Sequence, residues 1–270
     1  MALHRWGEGG AEPLVCLHGF TGRGESWRPL GLALGGRRAV LAPDLPGHGG
    51  TRAAAFTTES ASALLVEALA RVGVERFSLL GYSLGGRLAL SLALDHPRSV
   101  GRLVVESASP GLASAEQRAE RRGADAALAD RLEREGVAAF VARWEAQPLF
   151  ATLARLPEGA RRALRAQRLA QDAAALAAAL RGLGTGAQPW LGDRLHELAP
   201  PALIVAGAED GKFRDWAAWM QARIPCAELA IVEGAGHVPH LEQPEAFLRR
   251  VGAFLEPSNE EESCRFDGRR

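Results

Sequence analysis

Ser83 lies at the centre of Gly81-Tyr82-Ser83-Leu84-Gly85, a spacing that can make an alcohol reactive. The apolar run before it (77–80) reads as a strand. The stripe Leu84, Leu88, Ala89, Leu92 after it reads as a helix. The serine therefore falls on a sharp strand-to-helix turn that leaves Oγ exposed. Glycine flanks it because a Cβ would clash inside so tight a turn. By chance the bare pattern arises in roughly one chain in six of this composition, so its context carries the weight.

A serine on such a turn needs a base, and the base needs an orienting acid. In folds that use this turn the chain order is Ser, then Asp or Glu, then His. His196, His237 and His240 are the histidines far enough downstream. His237, in Gly234-Ala235-Gly236-His237 just past the strand-like run 229–232, is the expected base. His240 reads as packing at a helix entry, and His196 precedes a proline-rich linker without a strand. For the acid, Asp210 follows the run 202–206 at the point where a carboxylate reaches imidazole Nδ1. Glu209 points elsewhere from the same turn, and Glu106, ending an earlier strand, is the runner-up.

Acyl-transfer or enolising chemistry also needs donors for a developing oxyanion. One is the backbone N–H of Leu84. The other comes from the loop His18-Gly19-Phe20-Thr21-Gly22, with Phe20 as donor. His18 and His48 precede the serine and read as structural loop residues.

The elements that position these groups are legible as short apolar runs at 14–17, 39–42, 77–80, 103–105, 202–206 and 229–232. Runs apolar throughout suit strands buried on both faces. Helical stripes at 60–72 and 84–94 separate them, which implies right-handed crossovers and a mainly parallel sheet. Between residues 112 and 187 the rhythm breaks into helical patterns at 115–135, 137–146, 159–168 and 172–183. The expected layout is a core of residues 1–111 and 188–257, a helical cap over 112–187, and a disordered tail at 258–270.

With 270 residues, 47% of them hydrophobic, and 32 basic against 32 acidic side chains, the composition argues against disorder and against a polyanion-binding surface, a local basic patch aside. No apolar run is long enough for a membrane span or signal peptide. The three cysteines (Cys16, Cys226, Cys264) suit neither a disulfide framework nor a zinc site. A cytoplasmic protein without metal or organic cofactor is expected, with oligomeric state open. Lys212 is the single lysine, so arginine abundance is compositional and no arginine is informative by itself.

These residues resemble the α/β-hydrolase superfamily over residues 1 to about 257. Several stretches look closer to one family within it, the synthases that make 2-succinyl-6-hydroxy-2,4-cyclohexadiene-1-carboxylate in menaquinone (vitamin K2) biosynthesis. They include Leu17-His18-Gly19-Phe20-Thr21-Gly22, Glu25-Ser26-Trp27, Gly81 to Arg87, Glu106 to Leu112, Trp144 to Phe150, Gly182 to Pro189 and Asp210 to Phe213. The resemblance implies an α/β-hydrolase fold with a cap inserted after the sixth strand. It also implies a lyase in which Ser83, made basic by His237 and Asp210, removes a ring proton so that an enolpyruvyl ether leaves as pyruvate. A substrate with three carboxylates calls for planar, bidentate cations, which favours arginine. The family's substrate-binding arginines match Arg121 and Arg168, with Arg165 the alternative to Arg168 and Arg87 a third candidate. Tyr82, Trp144 and Phe150 match its aromatic contacts. Residues 112–186 carry twelve arginines against nine acids, a surplus that suits an anionic ligand. Two other readings stay open: a carboxylesterase or C–C bond hydrolase with the same triad, and a non-catalytic binding scaffold.

Overall fold

The computed structural model describes residues 1–51 and 56–256. The apolar runs become six strands: β1 (Leu3–Leu17), β2 (Arg38–Pro43), β3 (Phe77–Tyr82), β4 (Val100–Glu106), β5 (Ala202–Gly207) and β6 (Ala227–Val232). They form one sheet in the order β2-β1-β3-β4-β5-β6. β1 and β2 are antiparallel and every other neighbouring pair is parallel. Around the sheet run α1 (Arg28–Leu34), α2 (Thr58–Ala70), α3 (Leu84–Asp95), α4 (Ala115–Glu145), α5 (Glu158–Leu169), α6 (Ala173–Leu183), α7 (Gly211–Gln221), α8 (Pro239–Glu242) and α9 (Pro244–Leu255).

Strand periodicity explains the two-sided core. Successive side chains point to opposite faces. Leu79 and Leu103 join a cluster with Leu65, Leu88 and Met220 of α2, α3 and α7. Their neighbours Leu80 and Val104 join Leu30, Phe247 and Val251 of α1 and α9. Both faces are therefore covered, which is why these runs read as apolar rather than alternating. β6, at one edge of the sheet, is the exception and carries exposed residues. α2 begins at a Thr57 cap and ends at Ala70, two residues short of the expected stripe, so Val72 is solvent-exposed.

Helices occupy the stretch between β4 and β5. The two expected segments at 115–135 and 137–146 form α4, broken at Gly136, whose φ of 80° a side chain rarely adopts. α4 and α6 pack around Leu132, Phe140, Leu176 and Leu180. The short 3₁₀ segment Pro148–Arg155 meets the core through Phe150, Leu153 and Val238. Counted in this chain these helices follow the fourth strand, not the sixth. The amino-terminal residues form a single long, bulged strand that pairs with both β2 and β3, so fewer strands precede the insertion.

Cys16 is a free, buried thiol. Cys226 is disulfide-bonded, which corrects the expectation of unpaired cysteines at that position. Among the described residues no helix is long and apolar enough to cross a membrane. The tail at 258–270 lies outside the described residues.

Candidate active site

The turn at the end of β3 holds Ser83 at φ 52° and ψ −109°, a positive-φ conformation that non-glycine residues seldom adopt. Close packing imposes it. A Cβ on Gly81 would sit 2.2 Å from the Gly85 carbonyl oxygen, and one on Gly85 would sit 2.3 Å from that of Leu17. The Ser83 N–H is anchored on the Glu106 carbonyl at 2.8 Å.

β6 delivers the imidazole. His237 is 2% exposed, with Nε2 3.3 Å from Ser83 Oγ and Nδ1 2.6 Å from Asp210 Oδ2. The other Asp210 oxygen caps α7 by accepting from the Phe213 N–H at 3.3 Å, so the carboxylate is fixed at both ends. Glu209 does turn away and pairs with Arg155 in a two-pronged contact at 2.5 and 2.7 Å. Glu242 accepts from the N–H groups of Gly236 and Val238, both at 2.9 Å, and clamps the loop on either side of His237. Hydrogen bonds of this length in one line suit proton relay from hydroxyl to imidazole.

Two backbone amides belong to residues that border the serine turn. Leu84 is the first residue of α3, where an amide has no intrahelical acceptor. Phe20 lies in the loop after β1, and among the described residues neither amide has a hydrogen-bond partner. Both residues line the cavity with Ser83. His18 and His48 do hold loops. His18 Nε2 accepts from the Leu45 N–H at 3.0 Å, while its Nδ1 donates to the Gly19 carbonyl at 2.8 Å. Burial lowers the His18 imidazole to about 4 and that of His48 to about 3, from an ordinary 6.5. A histidine kept neutral in the fold stabilises it fully above the unfolded value. That stability is lost as pH falls from 6.5 through 4 for His18 and through 3 for His48, on the order of 3 and 5 kcal/mol respectively. The ring carbon resonances of both residues should stay flat from pH 8 to 5, and a midpoint near 6 for either would contradict this.

Above Ser83 opens a cavity of about 810 Å³, bounded by the loops after β1, β3 and β4 and by α4, α5 and α6. Its walls include Tyr82, Trp144 and Phe150. Tyr82 and Phe150 rings lie 5.5 and 5.9 Å from that of His237. Trp144 packs on Phe150 at 5.5 Å, and its buried indole N–H has no partner. Arg168 is 6% exposed, lines the cavity and lies 5.4 Å over the Phe150 ring. Its Nη1 pairs with Glu145 at 3.1 Å, whereas its buried Nε is unpartnered. Arg165 instead is exposed and pairs with Glu145, and of the two only Arg168 borders the cavity. Arg121 lines the cavity, held by Asp125 through Nε at 2.8 Å with its η-nitrogens left over. Arg87 also lines it, but its η-nitrogens are engaged by Gln188 and the Leu183 carbonyl, each at 3.0 Å. Burial lowers its guanidinium to about 10.

The sequence profile of the alpha/beta hydrolase family matches residues 14–250. The chain belongs to the alpha/beta hydrolase family. Within that family it is 40% identical over 246 residues to the 2-succinyl-6-hydroxy-2,4-cyclohexadiene-1-carboxylate synthase of Pectobacterium atrosepticum, a match covering 90% of this chain and 93% of the relative. Its fold superposes on MenH from S. aureus with a TM-score of 0.90 at 33% identity, covering 94% and 97% of the two chains. A thermophilic esterase from Thermogutta terrifontis, solved with malate bound, superposes with a TM-score of 0.82 at 25% identity, covering 94% and 92%.

For an alpha/beta hydrolase of this kind, several groups at the site escaped sequence reasoning. Gln171 ties the insertion to the Phe20 loop, donating to the Thr21 and Gly22 carbonyls at 3.2 and 2.7 Å and accepting from the Gly49 N–H at 3.0 Å. No spacing rule marks a lone glutamine. Glu242, five residues after His237, was within reach of sequence reasoning as a loop clamp. Glu106, the runner-up acid, does not touch His237; it bonds His240 instead.

Proposed function

We propose that this protein is a lyase of the menaquinone route, which eliminates pyruvate from 5-enolpyruvoyl-6-hydroxy-2-succinyl-cyclohex-3-ene-1-carboxylate to give 2-succinyl-6-hydroxy-2,4-cyclohexadiene-1-carboxylate. What carries the reading is a Ser–His–Asp relay opening on a cavity whose wall holds a buried arginine, in a chain 40% identical to a synthase of that name. A buried guanidinium with an unpartnered Nε suits a carboxylate ligand better than a neutral ester.

On this reading residues 112–187 act as a cap that supplies substrate contacts, and the remaining described residues supply the chemistry. His237 accepts the Ser83 proton while Asp210 stabilises the resulting imidazolium. Ser83 Oγ then removes the ring proton next to the succinyl carbonyl. The electron pair shifts through the ring, the C–O bond to the enolpyruvyl group breaks, and the departing enolate collects the proton from His237 to become pyruvate. No water is consumed and no acyl-enzyme forms. Charge developing on the carbonyl oxygen falls to the Phe20 and Leu84 amides, each contributing about 3–4 kcal/mol to the barrier. The same dipoles serve ester hydrolysis, so one scaffold hosts both reactions. Arg121 and Arg168 hold carboxylates; Tyr82, Trp144 and Phe150 wall the ring. The reaction takes place in the cytoplasm on a dissolved small molecule.

The choice between lyase and esterase rests on one comparison. Purified protein is expected to release pyruvate from the enolpyruvyl substrate at least ~10³-fold faster, in kcat/KM, than it cleaves a p-nitrophenyl ester, a gap of about 4 kcal/mol in transition-state binding. Rapid ester turnover without pyruvate would instead favour the carboxylesterase reading that the esterase likeness suggests.

A further inference from the structure

The relay leaves one fully buried acid unused. Glu106 ends β4 with 0% exposure, and among the described residues its carboxylate hydrogen-bonds to His240 alone. Both carboxylate oxygens accept from His240 Nδ1, at 2.8 and 2.9 Å, and Oε1 also accepts from the His240 backbone N–H at 3.0 Å. A carboxylate out of water is costly unless paired, and this imidazole is the hydrogen-bond partner of Glu106. The ring is built in. It lies 4.5 Å from Trp27, and meets Tyr82 at 5.0 Å and Phe247 at 6.0 Å. The titratable groups set against this pair are the Tyr82 phenol of β3 and the Cys16 thiol of β1. Burial first and the Glu106 carboxylate second push both of these up, which keeps them neutral.

With Nδ1 committed to Glu106, the opposite edge of the ring remains. His240 lines the cavity that contains Ser83 and Arg168, and among the described residues Nε2 has no hydrogen-bond partner. A tricarboxylate needs three cationic contacts. Arg121 and Arg168 provide two, whereas the η-nitrogens of Arg87 are engaged within the protein. We propose that Glu106 and His240 form a second carboxylate–imidazole pair, held as an ion pair, whose Nε2–H binds a substrate carboxylate from the core side of the cavity. This inference rests on the tricarboxylate reading above. It makes His240 a substrate-binding residue and Glu106 a positioning residue.

Two substitutions separate binding from structure. His240→Asn keeps an N–H where Nδ1 meets Glu106 and deletes the cavity edge; His240→Gln does the reverse. Each is made in a Ser83→Ala background, where the enolpyruvyl substrate binds without turnover, and its Kd is measured by calorimetry. His240→Asn is expected to weaken binding ~10- to 100-fold, the value of one hydrogen bond to a charged group, with little change in melting temperature. His240→Gln is expected to bind more tightly than His240→Asn but to melt lower, because Glu106 is left unpaired. A purely structural His240 gives the opposite order and overturns the proposal. So does a ¹⁵N-histidine spectrum at pH 7 in which His240 Nε2 carries no proton. Failure of the underlying lyase reading registers elsewhere, as absence of pyruvate release by the unsubstituted protein.

Discussion

Ser83→Ala is expected to lower pyruvate release by on the order of 10³-fold or more while leaving the fold and the Kd for the enolpyruvyl substrate nearly unchanged. The geometry gives the reason. Oγ is the atom 3.3 Å from His237 Nε2, on a turn held by the Gly81–Gly85 contact and the Glu106 carbonyl. Removing it deletes the proton acceptor that faces the cavity, and a positioned general base contributes typically 10²–10⁴-fold. Groups that act as a unit are not additive, so His237→Ala in the Ser83→Ala background should cost little more. Rapid-quench measurement of pyruvate, with circular dichroism as the fold control, decides it. Intact turnover in Ser83→Ala would remove the serine from the reaction altogether.

Arg168→Ala is the second large expected effect. Arg168 is buried against Phe150 with one nitrogen on Glu145, and truncating one partner of a buried charge pair costs about 2–5 kcal/mol. On the tricarboxylate that is a loss of roughly 30- to 4,000-fold in kcat/KM. Arg168→Lys should recover little, since an ammonium cannot reproduce the planar fork. Arg165→Ala is the internal control: Arg165 shares Glu145 but is 48% exposed, so its loss should cost under ~1 kcal/mol. Arg121→Ala belongs at the lower end of the Arg168 range, because Arg121 is 46% exposed. Equal losses on the tricarboxylate and on a neutral p-nitrophenyl ester would mean that the substitution had disturbed the fold rather than a carboxylate contact.

Much of this site was legible beforehand, for reasons that differ residue by residue. Ser83 announced itself because a strained turn demands glycine at fixed offsets, a local requirement written in consecutive residues. Asp210 and His237 followed from strand ends, since parallel strands present their carboxyl ends to one rim. The helices between β4 and β5 were visible as a change of period from strand to helix. Its kink was marked by Gly136, where φ is positive.

Other features were not legible, because they join residues with no pattern of their own. Nothing in spacing pairs Glu106 with His240 across 134 positions, and each alone looks like a spare acid or a helix-entry residue. The strand count before the insertion was misjudged because the resemblance lent a numbering that the single long β1 does not follow.

What the sequence determined alone is chemistry of short reach: a turn that exposes an alcohol, apolar runs that must be buried on both faces, and the order in which acid and base arrive. Tertiary structure decided which charges end up inside. Arg168 and Arg165 sit on one helix three residues apart, yet only the packing of α5 against α4 puts the first in the cavity and the second in water. A guanidinium's role follows from its solvent, and solvent is assigned by contacts between elements distant in the chain.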